Sequence, residues 1–434
     1  ISLYSIAGSG KNLTLTPGTG TIGVTTTVGS SGSGLGLLVV TNSSGTTFGG
    51  AFEAEAVVLT DTTGTITFTG ATTITSAIGL RTAAQDYNVA FNSSGTNTIQ
   101  GITTFLNTGT LTFANNGTSN FAAGLTASSP SSVNIYGTVQ TTNTTLLIGS
   151  PINLTGNSII SGNTLGNITL SGTINGGYTL DLNTTGTTTL SGTVGAITSL
   201  TSLTTNTGGT TAINGGSVKT TGAQTYNDAV TLGANTTLTT TASAITFAST
   251  VNSSSTSNLT FATGTGTATF TGAVGGTNAL GIITNASTQQ LTFSDAVTAT
   301  TIANYGILLF NATSDKTIAG NITDNGTTTI GIIDSADGAP GIITFSGNVA
   351  ADTITIGSTV RAGSALFNGT VIQGTTTNIN IVGGSASDEN SLANFANTVT
   401  VTAITLDDRT GTASTTFSGA SKIITGTING LATT

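Results

Sequence analysis

Side-chain acid–base chemistry has little to draw on in this sequence. There is no His and no Cys, and 16 Asp+Glu stand against 7 Lys+Arg in 434 residues. Nucleophile–base pairs of the usual kinds are therefore missing. Carboxylates with Arg or Lys suffice for some β-helical enzymes that cleave polysaccharides, so the places where such groups gather are the candidates. One is Asp407, Asp408 and Arg409 in "TLDDRTG" (405–411); the other is Asp334 with Asp337 in "IIDSADGAPG" (332–341). Asp and Gly also make turns, and a chain with many corners needs many turns. Both clusters read first as solvated loops, and the expectation is a protein without catalytic residues.

Ca²⁺ is the one cofactor these groups admit, because carboxylates and carbonyls are its ligands. Asp334 and Asp337 are its candidates. The Gly/Asp-rich nonapeptide that binds Ca²⁺ in other solenoids is missing, so no cofactor is expected. Asn-x-Ser/Thr triplets occur at Asn12, Asn116, Asn167, Asn258, Asn311 and Asn321, as chance supplies in a chain rich in Asn and Thr. Threonine runs such as "TVTVT" (398–402) invite comparison with flat ice-binding arrays, but Thr is also a favoured outward residue on strands, and no common register links the runs. Seven scattered basic residues make no phosphate-tracking stripe, which argues against nucleic acid.

The elements that position these residues follow from composition. Only 5% of residues are charged, while 36% are hydrophobic. Disorder pairs low hydrophobicity with high net charge, so it does not fit. Abundant Thr, Val, Ile and Phe favour pleated sheet, and 60 Gly with many Asn supply turns. The fold class is all-β. The apolar run "LGLLVV" (35–40) is too short to span a bilayer, so no membrane insertion is expected. Without Met, the chain reads as a processed product or part of a longer polypeptide.

A repeat organises the strands. An apolar anchor, a Gly, Asp or Ser two residues later and a Val or Ile four later recur at Leu170, Leu190, Tyr226, Phe247, Phe270, Phe293, Ile318, Phe345 and Phe367. The gaps are 20, 36, 21, 23, 23, 25, 27 and 22 residues. Looser copies stand at Phe48, Phe68, Phe91, Phe113, Phe395 and Phe417, and Tyr136 falls on time before a long interval. Solenoid coils need roughly 20–30 residues, propeller blades about 40 or more. The period predicts a right-handed parallel β-helix with coils of 20–28 residues, two or three strands each. The anchor phenylalanines stack in an internal ladder, and the position two after them is a corner. Residues 1–60 are less regular and are expected to form a cap or assembly segment, with Glu53 and Glu55 capping an edge; 61–434 are the solenoid. The segment "SKIITGTINGLATT" (421–434) keeps strand alternation with one charge, so Ile423 and Ile428 are expected to pair with another copy.

"GAQTYNDAVTLGANTTLTTTASAITFASTV" (222–251), followed by "LTFATGTGTATFTGAV" (259–274), resembles the repeats of filamentous-haemagglutinin-like exoproteins and autotransporter adhesin passengers, secreted bacterial surface proteins. The resemblance covers about 165–425. It implies export, a β-helical shaft, and adhesion or surface display, and it supplies no catalytic residues. No translocator or secretion module is recognisable, so the resemblance implies that such parts were removed or that export takes another route. The function expected is an extracellular, cell-surface structural solenoid that self-associates into a fibre, sheath or adhesin shaft. The alternative is a monomeric stalk that binds a host surface or glycan, and the third class is a polysaccharide-cleaving enzyme.

Overall fold

The computed structural model describes all residues except 30–31, 61, 263, 265, 287–289, 312, 334–340, 385–389, 409–410, 419–421, 426–427 and 433–434. Its regular elements are all strands, from Ser2–Leu3 to Ile428–Ala432. The chain is an all-β parallel β-solenoid. One coil shows the plan. Strands Asn88–Phe91, Thr96–Ile99 and Thr103–Phe105 form three sides, and the chain then enters Thr110–Phe121. There Phe113 lies opposite Phe91, 22 residues on. The same plan carries Ile245–Phe247, Val251–Ser253 and Leu259–Phe261 back to Ala268–Phe270, where Phe270 lies opposite Phe247.

Strands this short form because side chains alternate across them. In Ala268–Phe270, Ala268 and Phe270 are buried while Thr269 points outward, half-buried. A single three-residue strand buries too little to hold itself, and the next coil covers the remainder. At some of the corners two residues past the anchor, close approach requires glycine. A Cβ on Gly192 would lie 2.1 Å from the Gly172 carbonyl oxygen one coil below, and one on Gly369 would lie 2.0 Å from that of Gly347. At these glycine corners backbone stacks on backbone and leaves no room for a side chain, whereas Asp228, Ser249 and Asp295 take the same position elsewhere in the series.

The chain divides into two compact units, Ile1–Thr220 and Thr221–Thr434. In the first, the inward column runs Leu3, Val24, Phe48, Phe68, Phe91, Phe113, Ile135 and Leu154. Its first members lie within residues 1–60. That segment, expected to be a less regular cap or assembly segment, has strands paired in the solenoid register. Across the core, a second column runs Phe105, Ala127, Ile148, Leu170, Leu190 and Ile213.

In the second unit, Tyr226, Phe247, Phe270, Phe293 and Phe310 stack with ring centroids 5.0, 4.8, 4.9 and 5.5 Å apart. These separations follow the coil spacing of about 4.8 Å. The stack then changes side. Phe310 meets Phe345 edge to face at 5.3 Å, and Phe345, Phe367, Phe395 and Phe417 continue on another face. Ile318 belongs to that other face, opposite Val297 below and Phe345 above. Within each unit the anchor series therefore changes face, in the first between Phe113 and Leu170 and in the second between Phe293 and Ile318. The reason is that more than one face carries the apolar–small–β-branched corner, so the motif marks a corner without saying which one.

Candidate functional site

The anchor phenylalanines Phe68, Phe91, Phe113, Phe247, Phe270, Phe293, Phe345, Phe367 and Phe395 are buried, and Phe417 is half-buried. Phe310, Phe105, Phe121 and Phe261 share that core and fall outside the anchor series, because none is followed by the small corner residue at the required offset. Alternation in "TTF" (103–105) and "LTF" (259–261) was the signal for two of them. Burial pushes the Tyr87 phenol up to about 12, against weaker lowering by hydrogen bonds with the Ala83 backbone and Thr82. Its O–H donates to the Leu59 carbonyl at 3.2 Å and accepts the Ala83 N–H at 3.0 Å. Burial also pushes Tyr226 up.

Asp334, Asp337 and Arg409 fall outside the described residues. Asp407 and Asp408 were expected in a solvated loop, but both belong to strand Ala403–Asp408. Asp407 pairs with Val382 on one side and with Leu431 on the other. The coils on either side extend the ladder through the acidic pair, which turn statistics do not anticipate. Glu53 and Glu55 do not cap an edge. They lie in Phe52–Thr60, which has a paired strand on both sides. Glu53 Oε1 accepts the Gly32 N–H at 3.1 Å. Among the described residues no three metal-ligating side chains come together, and no helix is long and apolar enough to cross a membrane.

The sequon asparagines are mostly inter-coil clips. Asn12 Oδ1 accepts the Leu37 N–H at 2.8 Å, Asn167 Oδ1 that of Thr187 at 2.9 Å, and Asn321 Oδ1 that of Asn348 at 3.0 Å. Asn258 takes both roles: its N–H donates to Asn235 Oδ1 at 2.9 Å, and its own Oδ1 accepts the Ile282 N–H at 2.7 Å. At corners, where the strand ladder breaks, the amide oxygen takes the place of a missing carbonyl. Asn116 is exposed with φ 55°, and Asn311 closes strand Ile307–Asn311.

Outward positions give these strands a broad surface. Threonines there hold a common register after all: Thr225, Thr246, Thr269 and Thr292 make one column, Thr237, Thr260 and Thr284 another. The pattern was hidden because the register is set by inward residues, with loops of unequal length between strands. In 398–402, by contrast, Thr400 lies opposite Ile423. Ile423 sits on that outward face, half exposed, while Ile428 takes the inward register of Ile404. Among the described residues one ion pair occurs, Lys316 Nζ to Asp295 Oδ1 at 2.8 Å. Burial raises the Asp295 carboxyl, but the Lys316 hydrogen bond, the Ala296 N–H and the ion-pair attraction outweigh it and hold it below the usual carboxylate range.

The chemistry of these outward faces is hydroxyl and amide hydrogen bonding with almost no charge. No family model matches the chain, and no curated protein or solved structure matches it.

Proposed function

We propose that the chain is a structural solenoid of an extracellular, cell-surface fibre, sheath or adhesin shaft, and that copies associate through their flanks. The observation that carries this reading is the pairing of in-register threonine columns with a surface almost empty of charge. Separate molecules ordinarily stay apart through net surface charge, which here is sparse for the size. Two such flanks meet with little repulsion, and their hydroxyls and amides offer donors and acceptors to each other. The repeat style of 222–274 supports a place outside the cell, and the dispersal of the described carboxylates supports a role without catalysis. Electron microscopy of the purified chain tests the reading. Ordered assemblies with a lateral repeat are expected; isolated particles at every concentration would refute it.

A further inference from the structure

Three tyrosines of the first unit, Tyr4, Tyr136 and Tyr178, lie outside the core. Tyr136 and Tyr178 are 36% and 41% exposed, both at the corner that follows one face. Between them lies Gly156. A Cβ there would fall 2.0 Å from Tyr136 Cδ2 and 2.3 Å from Cγ, so the ring occupies the space of the missing side chain. Ser158 pairs with Leu180, which sets Tyr178 one coil beyond Gly156. Tyr136, Gly156 and Tyr178 thus form one column over three coils, with an aromatic at each end.

Along the neighbours of this column, Gly137, Asn157 and Thr179, runs a groove of about 160 Å³ whose lining includes neither tyrosine, so a ligand that meets the rings extends beyond it. One wall is the outward row Thr138, Ile159 and Asp181, in register. The other includes Asn116, Asn157 and Thr179. Asn157 Oδ1 accepts the Thr179 N–H at 3.2 Å, which fixes the amide and leaves its N–H donors for another partner. The lining residues offer hydroxyls, amides and a single carboxylate, and include no cation.

We propose that this groove binds an uncharged oligosaccharide lying along the coil axis. A sugar ring has apolar C–H faces and a rim of hydroxyls. Exposed phenol rings suit the faces, and amides with a carboxylate suit the rim, since together they donate and accept. Asp181, the only charge, repels uronic acids and sulfated sugars. Two coils span about 9.6 Å, farther than one sugar ring reaches, so the ligand has several units. The site stands whether or not copies of the chain associate.

Calorimetric titration tests it with cello-, laminari-, malto- and mannohexaose as neutral probes and hexagalacturonate as the acidic one. The wild-type chain is expected to bind at least one neutral probe and to discriminate against hexagalacturonate. Replacing both Tyr136→Ala and Tyr178→Ala is expected to weaken binding about tenfold or more, from two lost stacking contacts, with circular dichroism unchanged. If that pair of changes disturbs folding, Tyr178→Ala alone decides, with about threefold weakening expected. Asp181→Lys is expected to shift preference toward hexagalacturonate. No binding of any neutral probe at millimolar concentration, preference of the wild type for hexagalacturonate, or unchanged affinity in a folded tyrosine variant would overturn the proposal.

Discussion

Phe270 stands between two parallel rings, Phe247 at 4.8 Å and Phe293 at 4.9 Å, and is fully buried. Removing its ring opens a cavity that coils above and below cannot close, because both are held in register by their own strands. Phe270→Ala is therefore expected to cost about 3–5 kcal/mol, and Phe270→Asp more, since its carboxylate would lie unpaired in the core. Urea unfolding measures both; an unchanged midpoint would place Phe270 outside the core. Tyr87 makes a pH-dependent prediction. Its phenol is raised from 10.0 to about 12 in the fold. The unfolded chain ionises first, so this contribution is complete below pH 10 and is lost as pH rises toward about 12. The urea midpoint is expected to fall over that window, and less steeply in Tyr87→Phe. An equal slope in both proteins would show that Tyr87 does not carry the effect.

At the scale of elements, strand and corner were legible in the sequence because each has its own chemistry. Phe270 and Ala268 alternate with threonines, and Gly272 follows where the chain bends. What stayed hidden was which face a motif belongs to. Phe293 is followed in the stack by Phe310, whose surroundings lack the corner residue, while Ile318 has the motif and sits on another face. Asn258 was hidden differently: in a chain full of asparagine, composition does not reveal which amide faces a broken ladder. Its place predicts a graded response. Asn258→Ala removes the acceptor for Ile282 N–H and is expected to cost about 1 kcal/mol. Asn258→Asp keeps an acceptor oxygen and is expected to retain most of that stability. Equal losses in the two variants would mean that the clip does not act through Oδ1. The Tyr136–Tyr178 groove was not legible either, because Gly156 joins the two tyrosines only through inter-coil register.

At the scale of the whole molecule, flanks nearly empty of charge are proposed to bring copies together. Attraction between opposite charges would fade with salt; contact through hydroxyls and amides does not depend on it in that way. Charges placed in the threonine column should oppose contact without touching the core, since Thr225, Thr246 and Thr269 point outward. The most direct measurement is sedimentation velocity of the wild-type chain and of the triple variant Thr225→Glu, Thr246→Glu, Thr269→Glu, which adds negative charge to a chain already net negative, over a concentration series at low and high salt. The wild type is expected to form large species at both salts, and the folded triple variant to sediment as single chains at low salt. A wild-type chain that stays single at every concentration, or a triple variant that assembles equally well, would contradict the account.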